Sequence, residues 1–172
     1  MIFLYDLGLI VVILVLQTTL AEFVADLTGA TPDLILLLVV GFGLLRGKKA
    51  GIGYGWGLGL LQDGLSGDLL GQNVLSKGLI GYVTGAFHRN LGYHTMITPL
   101  LVVPLATLFN AAIHLGTKFL LYEVSVDKTV WTTLGTIVLL NTAVSPLVSW
   151  TVRTYTLRVK RSAGDVSLGR SR

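Results

Sequence analysis

Apolar residues fall into a series of long runs separated by short polar breaks, and most of the runs approach the length that crosses a bilayer. The first covers residues 2 to 24, more than the ~20 residues that span a hydrocarbon core of ~30 Å. It has no basic leader and carries Asp6 near its start. No small-x-small cleavage site follows, the end reading Thr19-Leu20-Ala21-Glu22, so it is expected to be a retained helix. After a polar turn from Asp26, Thr31-Pro32-Asp33 predicts a helix start: a capping hydroxyl, a proline in the first turn and an acid at the positive end of the dipole. That second helix runs to about Leu45 and is stopped by Arg46, Lys48 and Lys49. A third is expected from about Ala50 to Leu61, and a fourth from about Asn73 to Phe87, ending at His88-Arg89-Asn90. Both are short for full spans and read equally as tilted spans or as a re-entrant hairpin. The fifth, 96 to 122, holds Pro99 and Pro104, which predict a kink in its first half. After the polar loop Glu123 to Lys128 comes a sixth span, 130 to 152, with a break expected at Asn141 and Pro146. Trp150 and Tyr155 close it as interfacial aromatics. The expected organisation is one transmembrane domain over residues 1–152 and a basic tail over 153–172.

Glycine marks the centre of this pattern. The segment Gly51 to Gly85 holds 11 of the chain's 21 glycines. Gly51, Gly55 and Gly59 recur every four residues, so on a helix they form one smooth stripe, with Asp63 next in line. Gly53 and Gly57 line a second stripe beside it, and Gly81 and Gly85 repeat the spacing downstream. In water each interior glycine costs a helix about 1 kcal/mol relative to alanine. In a bilayer, small residues let helix backbones approach closely. The stretch therefore reads as two tightly packed membrane helices joined by an acidic turn, Gln62 to Asn73, that includes Gly71.

Composition agrees. Of 172 residues 52% are hydrophobic and 13% charged, and the mean hydropathy is +0.74. A soluble domain averages about a quarter charged. The absence of cysteine excludes disulfides, thiolate metal sites and cysteine nucleophiles. The net charge of +4 does not point to nucleic acid here, because membrane proteins collect cations on their cytoplasmic side. With the N-terminus inside and six crossings, Arg46, Lys48, Lys49, Arg89, Arg153, Arg158, Lys160, Arg161, Arg170 and Arg172 fall inside, ten of the thirteen cations. The outside loops collect Glu22, Asp26, Asp33, Asp63, Asp68, Glu123 and Asp127, seven of the nine acids. Both termini are expected in the cytoplasm, whether residues 51–87 make two spans or a hairpin.

Candidate chemistry is sparse. No G-x-G-x-x-G register exists, and no glycine pair leads into Lys-Ser or Lys-Thr at P-loop spacing. Gly64-Leu65-Ser66-Gly67 is similar to the G-x-S-G of rhomboid intramembrane proteases, with His114 as the available base, but a serine between Asp63 and Asp68 fits a turn as well as a site. Asn110, His114 and Lys118 are four apart and share a face of the fifth helix with Thr107. That face reads either as a proton or ligand path or, preferably, as interhelical hydrogen bonding, worth about 0.6 kcal/mol each, with Lys118 snorkelling to the surface. His88 and His94, six apart without a nearby acid, do not make a metal site. Lys77 is expected to neutralise Asp63 or Asp68 across the turn. The tail, with six cations and one acid, suits anionic lipid or a cytoplasmic partner.

The run Gly55-Trp56-Gly57-Leu58-Gly59-Leu60-Leu61-Gln62-Asp63, followed by Leu70-Gly71-Gln72-Asn73 and Leu79-Ile80-Gly81-Tyr82, resembles the MreD family of rod shape-determining proteins. Leu16-Gln17-Thr18-Thr19-Leu20, Thr31-Pro32-Asp33-Leu34 and the basic turn at Arg46 follow the same order. The resemblance implies a non-enzymatic bacterial inner-membrane protein without cofactors. It implies binding to MreC and, through it, links to MreB filaments, RodA and its transpeptidase. It also implies a compact six-helix all-α bundle similar to the substrate-binding subunits of energy-coupling-factor transporters, so a vitamin-binding subunit is the runner-up. The expected packing or partner-binding positions are Gly51, Gly55, Gly59, Asp63, Gly71, Asn73, Gly81 and Gly85.

Overall fold

The computed structural model describes residues 2–67, 69–88, 97–122 and 127–169, and the side chains of these except at 2–5, 20–22, 122 and 159–169. Asp68, Arg89, His94, Glu123, Arg170 and Arg172 lie outside the described residues, as do the side chains of Glu22, Lys160 and Arg161. Among the described residues the chain is all-helical: α1 (Ile2–Thr28), α2 (Leu34–Arg46), α3 (Lys48–Ser66), α4 (Gln72–Ala86), α5 (Ile97–Tyr122) and α6 (Lys128–Gly169).

The shortest helix sits at the centre. α2 touches all five others, and every residue from Leu34 to Leu44 is buried. A helix apolar on all sides is stable only when covered all round, and LILLLVVGFGLL is such a sequence. At 13 residues it is roughly 20 Å long, short for a lipid-facing span; protein, not lipid, surrounds it. Its start differs from the expected one. Asp33, not Thr31, is the N-cap, its carboxylate accepting the Leu36 N–H at 2.8 Å. Gly47, at φ +85°, then turns the chain from α2 directly into α3.

α5 and α6 carry the apolar spans Ile97–Leu121 and Lys128–Arg158, of which only 17% and 28% of the most apolar windows are buried. Apolar helices that turn most of their surface outward need lipid around them, and the protein is a membrane protein. Pro99 falls in the first turn of α5, where its missing N–H breaks no helical bond, so Pro104 is the proline that interrupts the ladder. The break expected at Asn141 and Pro146 is absent: α6 runs through both. Pro146 leaves the Thr142 carbonyl without its helical donor, and the Ser145 hydroxyl donates to that oxygen at 2.8 Å. α6 also continues past 152, with Val152 and Thr156 both buried.

Candidate functional site

α3 and α4 form the closest helix pair in the bundle. A methyl group added at Gly51 would land on the Gly81 carbonyl, one at Gly55 on the Lys77 carbonyl, and one at Gly59 at 2.5 Å from the Asn73 carbonyl. From the other side, Gly81 meets the Gly51 carbonyl, and Gly85 meets Gly47 and Lys48 backbone at 2.7 Å. The stripe of every-fourth glycines is thus the seam of the α3–α4 hairpin, backbone against backbone. The neighbouring stripe is not: Gly53 and Gly57 have nothing within 4 Å.

Asp63 stands where the stripe meets the turn. α3 extends to Ser66, so the turn is shorter than expected, Gly67 to Gly71. The Asp63 side chain is 1% exposed and faces the first turn of α4. It accepts the backbone N–H of Gly71 at 2.8 Å, of Asn73 at 3.0 Å and of Val74 at 3.3 Å, and the Asn73 side-chain amide at 2.9 Å. Those N–H groups have no partner inside α4. Asp63 therefore caps α4 from a different helix, and the positive end of the α4 dipole stabilises its charge. Gly71, at φ +95°, bends the backbone so that its N–H points at the carboxylate.

The polar chain continues inward. Lys77, fully buried, donates to Asn73 Oδ1 at 2.8 Å and pairs with Asp33 at 2.9 Å. Of the two partners expected for Lys77, Asp63 is reached through Asn73 and Asp68 lies outside the described residues; the direct ion pair among the described residues is with Asp33 at the start of α2. Four hydrogen bonds already occupy the two oxygens of Asp63, whereas Asp33 caps α2 through Oδ1 and offers Oδ2 to the ammonium. The Asp33 backbone N–H donates to Asn141 Oδ1 at 2.8 Å, and Asn141 Nδ2 donates to Thr107 at 3.0 Å. One continuous set of bonds thus joins α2, α3, α4, α5 and α6. The sequence pattern places Thr107 on the polar face of α5, Asn141 at an expected break and Asp33 at a helix start, and does not connect the three.

The α5 face differs from expectation in detail. Asn110 and His114 are half-buried and Lys118 is exposed. Gln72 of α4 reaches α5 by donating to the His114 carbonyl and the Thr117 hydroxyl. Asn110 Oδ1 is buried without a hydrogen-bond partner among the described residues. Ser66 is exposed at the last residue of α3, followed by Gly67 at φ +66°. No three His, Asp or Glu side chains gather as a metal site among the described residues. A cavity of about 450 Å³ lies between α4 and α5, lined by Ile80, Val83, Phe87, Leu101 and Phe109 among others. Its polar side chain, Thr84, bonds its own helix at the Ile80 carbonyl, 2.8 Å away.

A second polar cluster closes the opposite end of the bundle. Arg46 donates to both oxygens of Asp6, at 2.8 and 2.9 Å, and to the Tyr54 hydroxyl at 2.9 Å, and Tyr54 donates to Asp6. Nothing in the sequence pattern connects Asp6 with Arg46, 40 residues away.

No curated protein and no solved structure matches the chain. The family model described as rod shape-determining protein MreD matches residues 1–156, which takes in all of the α3–α4 seam, Asp63 and both polar clusters. The chain belongs to the MreD family of rod shape-determining proteins.

Proposed function

We propose that this protein is a non-enzymatic, multi-pass scaffold of the bacterial inner membrane that binds MreC and thereby supports peptidoglycan synthesis by the elongation machinery. MreB, RodA and its transpeptidase are reached indirectly. The reading takes α1 to α6 as six spans with both termini cytoplasmic, similar in plan to the substrate-binding subunits of energy-coupling-factor transporters. Ten of thirteen cations on one side support that orientation. The observation that carries the scaffold reading, beside the family match, is the α3–α4 hairpin. Its glycine seam is filled by its own backbone and its acid is spent on capping, so the most distinctive residues of the chain hold a rigid shape. Such a shape holds the outer ends of α3 and α4, at Ser66 and Gln72, in place for an extracytoplasmic partner to read.

The vitamin-subunit reading has less support. The cavity between α4 and α5 is walled almost wholly by apolar side chains, whereas a polar ligand needs convergent donors and acceptors. Purification from native membranes in mild detergent, followed by mass spectrometry, separates the readings. Recovery of MreC with wall-synthesis proteins is the expected result. Recovery of an ATPase pair with a coupling membrane subunit, or of a bound small molecule, overturns it.

A further inference from the structure

α1 is held differently from the other helices. It meets the bundle chiefly through α2. Of its described side chains only Ile13 and Asp6 are fully buried, with Leu9, Ile10 and Leu14 packed partly against the core. Val11, Val12, Val15, Phe23 and Leu27 are at least half exposed. In lipid such apolar contact distinguishes the docked helix little from an undocked one, because acyl chains solvate the same side chains equally well.

What does distinguish the docked position, among the described side chains, is two polar clasps. At the first, Asp6 takes both guanidinium N–H groups of Arg46 and the hydroxyl of Tyr54. At the second, Gln17 donates to the Pro32 carbonyl at 2.9 Å and accepts the Leu34 N–H at 2.7 Å. The clasps are eleven residues apart, roughly 16 Å along the helix. The receiving half of the first clasp does not depend on α1. The Arg46 guanidinium lies 4.7 Å over the Phe42 ring and 5.5 Å over the Tyr54 ring, and those rings stack at 4.2 Å. α2 and α3 therefore build a seat for the cation, and Asp6 reaches it from α1 as the counter-ion. When α1 leaves, Arg46 keeps both rings and the Tyr54 hydroxyl. Asp6, only four residues from the start of α1, moves toward the headgroups. Gly29, at φ +72°, joins α1 to the segment ahead of α2 and places a pivot beyond the second clasp.

We propose that α1 is a latched strap: Asp6 and Gln17 hold it against α2, and their release lets it swing away while α2 to α6 stay assembled. The proposal rests on the membrane setting, since in water the apolar face of α1 would hold it down without the clasps.

The chain contains no cysteine, so spin labels can be placed without background. In the full chain in lipid nanodiscs, one labelled pair joins Val12 of α1 to Leu61 of α3, and a reference pair joins Leu61 to Leu105 of α5, all exposed positions. The native chain is expected to give one narrow distance for each pair. In the double variant Asp6→Ala, Gln17→Ala, the α1 pair is expected to gain a longer population, displaced by about 10 Å, one helix diameter. The reference pair is expected to stay as it was, and Asp6→Glu alone to keep the native distance. An α1 pair unchanged in the double variant overturns the proposal, because the clasps then do not hold the helix. Broadening of both pairs together also overturns it, because α1 is then part of the fold and not a strap on it.

Discussion

α4 and α1 both lean on neighbouring helices, and they do so by opposite means. α4 lies so close to α3 that a single methyl group at Gly51, Gly55 or Gly59 would strike its backbone. α1 lies on α2 through side chains, most of its apolar surface facing outward, and is fastened by Asp6 and Gln17. The difference shows what association costs in lipid. Greasy side chains gain little from each other when the solvent is itself a hydrocarbon, so tight packing comes from small residues and from polar groups with no other partner. The hairpin uses both: a glycine seam along its length and a carboxylate at its end. α1 uses only the second, and its attachment is correspondingly local.

The sharpest way to break the comparison is to fill the seam. Gly55→Leu is expected to abolish folded protein, a loss above about 3 kcal/mol, because the obstacle is the Lys77 and Gly78 backbone and not a side chain that can turn aside. Size-exclusion profiles in detergent would register it as aggregation. Gly59→Ala is expected to cost less, about 1–3 kcal/mol, since the added carbon would sit 2.5 Å from the Asn73 carbonyl oxygen and the α4 backbone must move to clear it. A normal profile for Gly55→Leu would mean that the helices are not this close.

Next in size is the buried ion pair. Lys77→Met removes the counter-charge of Asp33 and is expected to cost about 3–5 kcal/mol in denaturation by sodium dodecyl sulfate in mixed micelles. Adding Asp33→Asn should restore most of that, because the uncompensated charge goes while the acceptor for Leu36 stays. Failure of the second substitution to rescue would place the partner of Lys77 elsewhere. Asp63→Ala is expected to cost about 1–2 kcal/mol, as for loss of an N-cap. Asp63→Asn should cost clearly less, because one side-chain oxygen can still accept from the first turn of α4. Equal losses in the two variants would show that the charge of Asp63, not its acceptor oxygens, holds the helix.

Much of this was legible in the chain itself. The period of four in Gly51, Gly55, Gly59 and Asp63 could be read as one helical stripe, and the helix order followed from the apolar runs. Partners at long range were not legible. Lys77 was matched with the nearest acids in sequence, Asp63 and Asp68, yet Asp33, on another helix, lies 2.9 Å away. Periodicity describes one helix at a time, and which polar residue meets which is decided by the arrangement of several. Asn141 and Pro146 misled for a related reason. Each weakens a helix considered alone, but the Ser145 hydroxyl replaces the bond that Pro146 removes, and Asn141 turns its amide to Asp33 and Thr107. The same limit hid the Asp6–Arg46 clasp, whose two halves lie on different helices.

The smallest expected effect tests the comparison from the other side. Gly57 sits on α3 between Gly55 and Gly59, yet a methyl group there meets nothing within 4 Å. Sequence alone gives Gly53 and Gly57 the same spacing as the seam glycines. If glycine were needed in α3 for its backbone freedom, Gly57→Ala would weaken the hairpin as much as Gly59→Ala. If glycine is needed only where two backbones touch, Gly57→Ala should leave stability in micelles within about 0.5 kcal/mol of the native chain, as surface substitutions generally do. Helix propensity acts in the same direction, since alanine is the better helix former. A stable Gly57→Ala that nevertheless lost its cellular partners would separate the two stripes by role: the first closes the hairpin, and the second is surface that another molecule covers.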